Sequence, residues 1–273
     1  MRIQDMVSVV TAAVWGMLCA LPSGVIAQEA CPAQVRVSFL DYDVPPWFNG
    51  TGAEFADPPG HVVVWIQKAI AHTGCPTKVV LLRRPVKRFY LELEQGMTDI
   101  VAMASATPER LASSAFPMIH GQLNARLTYL SSDTSLWVRQ GDRSVQWDGR
   151  VLRGPQGFKV GVSSGQGSEA LARKRGWNLE LGVNGVSVID KLLAGRSHVI
   201  LLPDITVAAS PPQEQARMER LLPSLEQTLF FSPANKQFHA RYPGFMSRYW
   251  DALCQISRAE PDLPMQKKLP PCR

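Results

Sequence analysis

Apolar runs rich in β-branched residues alternate with amphipathic patterns of helical period along most of the chain. In the first half these patterns predict strand 35–40, helix 61–72, strand 78–82, helix 86–95 and strand 100–103. The first of these helices has Val63, Ile66 and Ile70 at i, i+3 and i+7, which places them on one inward face. Strands that alternate with helices in this way are typical of an α/β protein with largely parallel sheets.

The second half repeats this order of elements, as strand 158–162, helix 168–175, strand 179–181, helix 187–194 and strand 199–202. The repeat is also visible in individual residues. Segment 93–99 has Leu, Gly and Asp at intervals of three, and segment 192–198 has Leu, Gly and His at the same intervals. In both segments the glycine is expected to end a helix, after which a short turn leads into a buried strand. The pattern therefore predicts two similar lobes.

One more long helix is predicted near the end of the chain, at 243–258. Its Phe245, Tyr249, Leu253 and Ile256 form an apolar stripe at helical spacing. Such a stripe predicts a face that is buried in a core.

The first 27 residues have the pattern of an export signal. Arg2 supplies a positive start, residues 6–20 are largely apolar, and Val25-Ile26-Ala27 is an acceptable cleavage site. Beyond this segment no run of 18 apolar residues occurs, so the rest of the chain is not expected to span a membrane. The sequence therefore predicts a protein secreted through an N-terminal signal peptide into the periplasm.

The composition, with 45% hydrophobic and 19% charged residues among 273, is that of a globular protein with a core that needs no disulfide support. The formal net charge is +6, and the excess is scattered. The densest basic cluster lies at residues 83–88, where it would either attract an anion or form a solvated helix start. Nucleic acid is not expected as a partner of an exported protein.

Four cysteines follow the predicted signal peptide, namely Cys31, Cys75, Cys254 and Cys272. An even number in an oxidising compartment favours two disulfides over metal ligation. Three pairings are possible. We favour Cys31 with Cys75 and Cys254 with Cys272, because each pair joins segments that are expected to lie close together.

Five segments resemble, in order and nearly in spacing, motifs of the family 3 extracellular solute-binding proteins. They are DYDVPPW at 41–47, LEQGMTD at 93–99, SATPER at 105–110, VGVSSGQGS at 160–168 and GRSH at 195–198. The resemblance spans essentially the whole chain after the signal peptide.

This resemblance implies a type II periplasmic-binding-protein fold, in which two α/β lobes, each a mostly parallel sheet flanked by helices, are joined by two crossover strands. Mapped onto this chain, the signal peptide is 1–27, lobe 1 is 28–126 plus 230–273, and lobe 2 is 127–229. The apolar segments near 127–130 and 228–231 are the expected hinges. Two crossover strands permit a bend, so the lobes are expected to close on a ligand.

A small solute with a carboxylate, held between two lobes, needs a planar donor that matches its two oxygens. Arg110 offers such a fork, with a surface position or a salt bridge within one lobe as the alternative. Backbone N–H groups of the turn at 165–168, at a helix N-terminus, can bind the same anionic group from the other lobe.

Other residues are expected to hold the remainder of the ligand. Asp41 or Asp204 would pair with an ammonium group, and Tyr42 or Trp47 would cover an apolar part, with core packing as the alternative for Trp47. The complete set of expected ligand-binding residues is Asp41, Tyr42, Trp47, Ser105, Arg110, Gln166, Gly167, Ser168 and Asp204.

Three features depart from the pattern of the amino-acid binders. Gln166, Gly167 and Ser168 stand where those proteins usually have two threonines, His198 replaces the usual Asp, and Val86 occupies a position that often holds a ligand-stacking aromatic. These departures bear on which solute is bound.

A serine hydrolase is a rival interpretation. Residues 161–165 match the Gly-x-Ser-x-Gly elbow around Ser163, and Asp204 and His239 follow in hydrolase order. Against it, no His-Gly-Gly sequence that could form an oxyanion hole precedes the elbow, and the next helix is predicted to start only at Ser168.

Cofactor sites receive little support from the sequence. Gly165, Gly167 and Ala170 imitate a dinucleotide fingerprint, with Glu180 as the only acid for a ribose, but exported proteins meet no nicotinamide pool. The histidines show no metal-ligand spacing. We therefore expect neither a cofactor nor a metal.

Taken with the resemblance, these features predict a monomeric periplasmic solute-binding protein, not an enzyme, that captures a small amino-acid-like or carboxylate ligand. Its expected protein partner is the membrane permease of an ABC transporter. Two alternatives on the same fold stay open at this point, an exported dehydratase-like enzyme and a soluble partner of a membrane sensor.

Overall fold

The computed structural model describes residues 30–260, 263 and 269–272 of the chain. The predicted signal peptide, at 1–27, lies outside the described residues. Within the described part, every helix is too short or too polar to cross a membrane.

The elements up to residue 127 follow the predicted alternation and add several short strands and turns. The strands are β1 (Gln34–Leu40), β2 (Gly50–Thr51), β3 (Glu54–Phe55), β4 (Lys78–Arg84), β5 (Ile100–Val101), β6 (Ala104–Ser105), β7 (Ser114–Ala115), β8 (Met118–Ile119) and β9 (Gln122–Leu123). The helices are α1 (His61–Ala71), α2 (Val86–Glu94), α3 (Pro108–Ser113) and a 3₁₀ turn (Ala125–Leu127).

The elements after residue 127 begin with a long strand that the sequence patterns did not delimit. The strands are β10 (Leu130–Arg139), β11 (Gln146–Trp147), β12 (Leu152–Arg153), β13 (Val160–Ser163), β14 (Leu179–Gly182), β15 (Val199–Pro203), β16 (Met218–Arg220), β17 (Glu226–Phe231) and β18 (Ala234–Asn235). The helices are α4 (Gly167–Lys174), α5 (Gly185–Leu193), α6 (Asp204–Ala208), α7 (Pro212–Gln215), α8 (Lys236–Arg241) and α9 (Pro243–Arg258).

The first of two large sheets has five strands in the order β4-β1-β5-β18-β7. Strand β1 runs parallel to β4 and to β5, whereas β18 pairs antiparallel with β5 and β7. We refer to the unit around this sheet as lobe 1. The helices α1 and α9, which pack on each other, belong to it.

The second large sheet has seven strands, in the order β14-β13-β15-β10-β17-β6, with β16 also paired to β10. Its strands β14, β13 and β15 are parallel, and we refer to the unit around them as lobe 2. Strands β10 and β17 carry the chain between the lobes and pair antiparallel with each other. Because β6 adds to β17, this sheet extends into the junction of the lobes, and only its outer part is parallel.

The two expected hinge segments lie side by side at this junction. Leu130 pairs with Phe230 in the ladder, and the amide of Tyr129 donates to the carbonyl of Phe230 at 3.2 Å. The chain therefore crosses twice at one place, as a bending motion requires. The hinge role and the boundaries at 126/127 and 229/230 stay predictions.

The internal repeat is present in the hydrogen bonds as well as in the sequence. Asp99 accepts from the amide of Arg36 through Oδ2 at 2.7 Å and donates its own amide to the carbonyl of Arg36. In lobe 2, His198 makes the same reciprocal pair with Lys159, accepting through Nδ1 at 3.3 Å. An imidazole nitrogen thus takes the place of a carboxylate oxygen, which explains how His198 can stand where the repeat has Asp.

The apolar stripe of α9 is buried as predicted, with Phe245, Tyr249 and Leu253 at most 1% exposed. Both favoured disulfides are confirmed. The Cα atoms are 5.5 Å apart in Cys31–Cys75 and 5.9 Å apart in Cys254–Cys272.

Candidate functional site

A cavity of about 120 Å³ lies between the two lobes, where residues of both contribute to its lining. Leu40 at the end of β1 and Ser163 at the end of β13 both face it. These are the carboxyl ends of parallel strands, the edge at which α/β proteins commonly bind ligands. The lobe topology thus places a ligand-sized space at one defined position.

One end of this cavity is polar and lies at the N-terminus of α4. Ser105 of lobe 1 and Gln166, Gly167 and Ser168 of lobe 2 line it. Ser168 is 7% exposed, and its hydroxyl has no hydrogen-bond partner among the described residues. A buried hydroxyl without a partner costs free energy unless a ligand satisfies it, and the α4 amides favour an anion. This end therefore suits an anionic group.

Arg110 lies beside this polar end and joins the lobes. Its Nη1 donates to the carbonyl and the hydroxyl of Ser105, at 2.9 and 2.8 Å, and its Nη2 donates to the carbonyl of Gly165 at 2.8 Å. The guanidinium also stacks 3.9 Å from the ring centre of Tyr90. Arg110 is 8% exposed and lines a second cavity, of about 550 Å³. Thr107 lines both this cavity and the one between the lobes.

The lobes also approach each other closely at two other points. Gly167 lies against Ser105, so that a Cβ placed on the glycine would be 2.6 Å from the serine Oγ. The side-chain amide of Gln166 donates to the hydroxyl of Tyr42 at 3.4 Å. Burial raises the pKa of Tyr42, which keeps this phenol protonated. Polar contacts thus close the cleft on this side.

The wall that lobe 1 contributes is largely apolar, with Leu40, Val44, Phe48 and Met103. Met103 has a left-handed backbone with φ of 53°, which is uncommon for a residue with a side chain. Its amide donates to the buried hydroxyl of Tyr129 at 2.8 Å, which holds the strained turn in place. A strained residue at a cavity wall is a feature that proteins often keep at functional sites.

The crossover strand β17 supplies a lining that the sequence analysis missed. Glu226, Thr228 and Phe230 alternate along it and all face the cavity. Thr228 shares a 2.6 Å hydrogen bond with Thr134 of β10. Desolvation raises the pKa of Glu226, with Arg175 and Lys174 opposing the effect. The signal was the two-residue period of 226, 228 and 230, which starts just before the segment 228–231 that was predicted as a hinge.

Four of the nine residues expected to bind ligand do not line this cavity, namely Asp41, Trp47, Arg110 and Asp204. Trp47 is 1% exposed, and its ring centre lies 6.1 Å from that of Trp65 in the core of lobe 1. This position matches the core packing that the sequence analysis gave as the alternative role of Trp47. Asp41 follows β1 and binds the carbonyl of Arg84 through its amide at 3.1 Å, but its side chain does not line the cavity.

Asp204, the other expected partner of an ammonium group, is paired within lobe 2. Its Oδ2 lies 3.0 Å from Nη2 of Arg220, which also donates to Asp133 at 2.9 Å. The carboxyl group is 1% exposed, and burial raises its pKa in spite of Arg220. Its neighbours Pro203 and Ile205 line the cavity, whereas Asp204 itself is turned into the lobe.

The residues of the rival hydrolase triad have separate partners. Ser163 lines the cavity, Asp204 faces Arg220, and the ring of His239 lies 5.5 Å from that of Trp250 in lobe 1. Helix α4 begins at Gly167, four residues after Ser163, so the strand does not turn directly into a helix at the serine.

Two arginines of the basic cluster at 83–88 serve the fold of lobe 1. Arg83 is 2% exposed and donates to the carbonyls of Gly50 and Gly52 at 2.9 and 3.0 Å. Arg84 pairs with Glu92 at 2.8 Å. These two arginines therefore hold a loop and a helix instead of offering an open anion site.

No family model matches the sequence, and no curated protein sequence matches it. Solved structures do resemble the fold. The ligand-binding core of GluR0 from Nostoc punctiforme, in complex with L-glutamate, has a TM-score of 0.60 at 12% identity, over 84% of this chain and 94% of that one.

A putative L-cystine ABC transporter protein from Listeria monocytogenes gives a TM-score of 0.62 at 14% identity, over 87% of this chain and 99% of that one. The ancestral amino-acid-binding protein AncCDT-1, a precursor of cyclohexadienyl dehydratase, gives a TM-score of 0.63 at 16% identity, over 83% of this chain and 90% of that one. These matches each cover at least 83% of this chain. The chain therefore has the two-lobed type II fold that these proteins share.

Proposed function

We propose that this protein is an exported solute-binding protein that captures a small polar ligand with a carboxylate, such as an amino-acid-like solute, between its lobes. The observation that carries the proposal is the cavity at the lobe junction, to which both lobes and both crossover strands contribute. A ligand there touches two bodies that can move apart, so binding favours the closed form.

The carboxylate is proposed to lie at the polar end, near Ser105. This hydroxyl is 2.8 Å from Nη1 of Arg110 and also lies against Gly167 at the start of α4. The guanidinium and the helix N-terminus are thereby brought to one place from different lobes. Gln166 and Ser168 complete the polar group, and Tyr42 covers it from lobe 1. A guanidinium bound to Ser105 and a helix N-terminus beside the same hydroxyl suit a carboxylate.

The location and partners are proposed to follow from this role. A signal peptide at 1–27 would export the chain to the periplasm, where the two disulfides would form. A monomer that delivers its solute to the permease of an ABC transporter fits the fold shared with the Listeria protein.

Native mass spectrometry of the protein, purified from the periplasm without refolding, tests the proposal. We expect a retained small solute of defined mass, because a closed cleft releases its ligand slowly. The solute is then identified and titrated into protein from which it has been removed. A protein that retains nothing and that no solute of a carboxylate-bearing library stabilises against heat would contradict the proposal.

A dehydratase-like enzyme is a second candidate, and Glu226 is the observation that favours it. A carboxyl group with a raised pKa at the wall of a cavity can act as a general acid. Incubation with prephenate-like acids, followed by product analysis, separates the two functions. Turnover that Glu226→Gln abolishes would establish the enzyme, and retention of the acid without turnover would establish the binder.

A further inference from the structure

Glu226 is the one side chain with a formal charge among the described residues that line the cavity between the lobes. It forms no ion pair within 4 Å in the described part of the chain. The two cations that act on it are Arg175 and Lys174. The guanidinium of Arg175 is stacked 5.4 Å from the ring centre of Trp147. A carboxylate therefore faces the cavity without a close counter-ion, in a protein whose net charge is +6.

The position of Glu226 sets its distance from the polar end of the cavity. Ser105 pairs with Phe230 in the β6–β17 ladder, and Glu226 precedes Phe230 by four residues on the same face. Four residues of strand span about 13 Å. Contact distances of about 3 Å at each end leave roughly 7 Å between the two charged groups of a bridging ligand.

The surface between these two ends is mostly apolar and includes the hydroxyls of Thr134 and Thr228, which are hydrogen-bonded to each other at 2.6 Å. Leu40, Val44, Phe48 and Met103 line it from lobe 1, and Ile205 lines it from lobe 2. A methylene chain fits the apolar part of this wall.

We propose that the solute has a carboxylate and a second, cationic group at the far end of a short aliphatic chain, and that Glu226 binds this cation. The ligand class is thus a zwitterion with well-separated charges, such as a basic amino acid or an ω-amino acid. Glu226 thus has the role of ammonium partner that the sequence analysis gave to Asp41 or Asp204. The cation that it binds lies at the end of the ligand that is distant from the carboxylate. The inference rests on the proposed function, because it places the carboxylate at Ser105.

Three probes of nearly equal length separate the two ends of the cavity. L-Lysine has the carboxylate and a distal ammonium, L-norleucine lacks the distal ammonium, and cadaverine lacks the carboxylate. Calorimetric titration of the solute-free protein is expected to give L-lysine an affinity about 10- to 100-fold above that of L-norleucine. In Glu226→Gln this preference should disappear.

Glu94→Gln is the matched control, because it removes the same charge at an exposed position of α2 in lobe 1. It should keep the preference for L-lysine. The inference is overturned if L-norleucine binds wild type as tightly as L-lysine, if Glu226→Gln keeps the preference, or if none of the three probes binds. The proposed function is judged separately, by the solute that native mass spectrometry recovers.

Discussion

Gly167 is the position at which the account of lobe closure can be tested with a single added carbon. In the closed cleft, a Cβ at this position would lie 2.6 Å from Ser105 Oγ and 3.9 Å from the methyl group of Thr107. The backbone of Gly167 does not have a positive φ, so alanine is compatible with the conformation of lobe 2 itself. Gly167→Ala therefore acts on the contact between the lobes and not on the fold of either.

The expected cost follows from what must give way. Either the lobes stay apart by a fraction of an ångström more, or Ser105 rotates and loses its 2.8 Å bond from Arg110. A hydrogen bond from a charged donor contributes about 1.5–3 kcal/mol, so the affinity for the solute should fall about 10- to 150-fold. The free energy of unfolding should be unchanged or rise by up to about 1 kcal/mol, because alanine is a better helix former than glycine.

Calorimetric titration gives the affinity, and thermal unfolding of the solute-free protein gives the stability. In the background of Ser105→Gly, the same Gly167→Ala change should cost little, since the clashing hydroxyl is absent. Wild-type affinity in Gly167→Ala, or an equal loss with and without Ser105, would refute the proposed contact. A large loss of stability would show that Gly167 has a role within lobe 2 instead.

Four further outcomes are expected. Arg110→Ala should weaken binding of a carboxylate solute in titrations about 10- to 150-fold, because Ser105 loses its charged partner, whereas Arg173→Ala, at the rim of the second cavity, should change it little; equal effects would contradict the proposed role. Ser163→Ala should leave solute affinity intact, and loss of an esterase activity would instead support the hydrolase. Cys272→Ser should lower the stability in thermal unfolding by on the order of 3 kcal/mol through loss of the link across 18 residues, and an unchanged midpoint would count against it. Because desolvation raises the pKa of Glu226, L-lysine affinity should decline on acidification while L-norleucine affinity should not; parallel declines would point to another group.

Local signals were enough to predict most of the helices and strands. Helix α9 spans 243–258 as the pattern indicates, because its apolar stripe and its starting proline are contained in the segment itself. Gly96 and Gly195, with φ of 71° and 73°, end their helices in the left-handed conformation that glycine favours. Such features depend on neighbours within a few residues, so they are readable from the sequence.

Contacts between distant segments could not be predicted in this way. Asp204 follows β15 in a suitable place for a ligand, but its partner Arg220 lies on β16, which reaches it only through the pairing with β10. Trp47 stands in a motif that resembles a ligand loop, and only the position of α1 shows that it packs on Trp65. Glu226 enters the cavity because β17 crosses between the lobes, a path that no local pattern specifies.

Small-angle X-ray scattering, with and without the solute, tests the central claim most directly, because a ligand held by both lobes must favour the closed form. The measurement uses the solute that is recovered from the protein and confirmed by titration to saturate it. We predict a smaller radius of gyration in the presence of the solute than in its absence. An unchanged radius at saturation would contradict capture by closure of the two lobes.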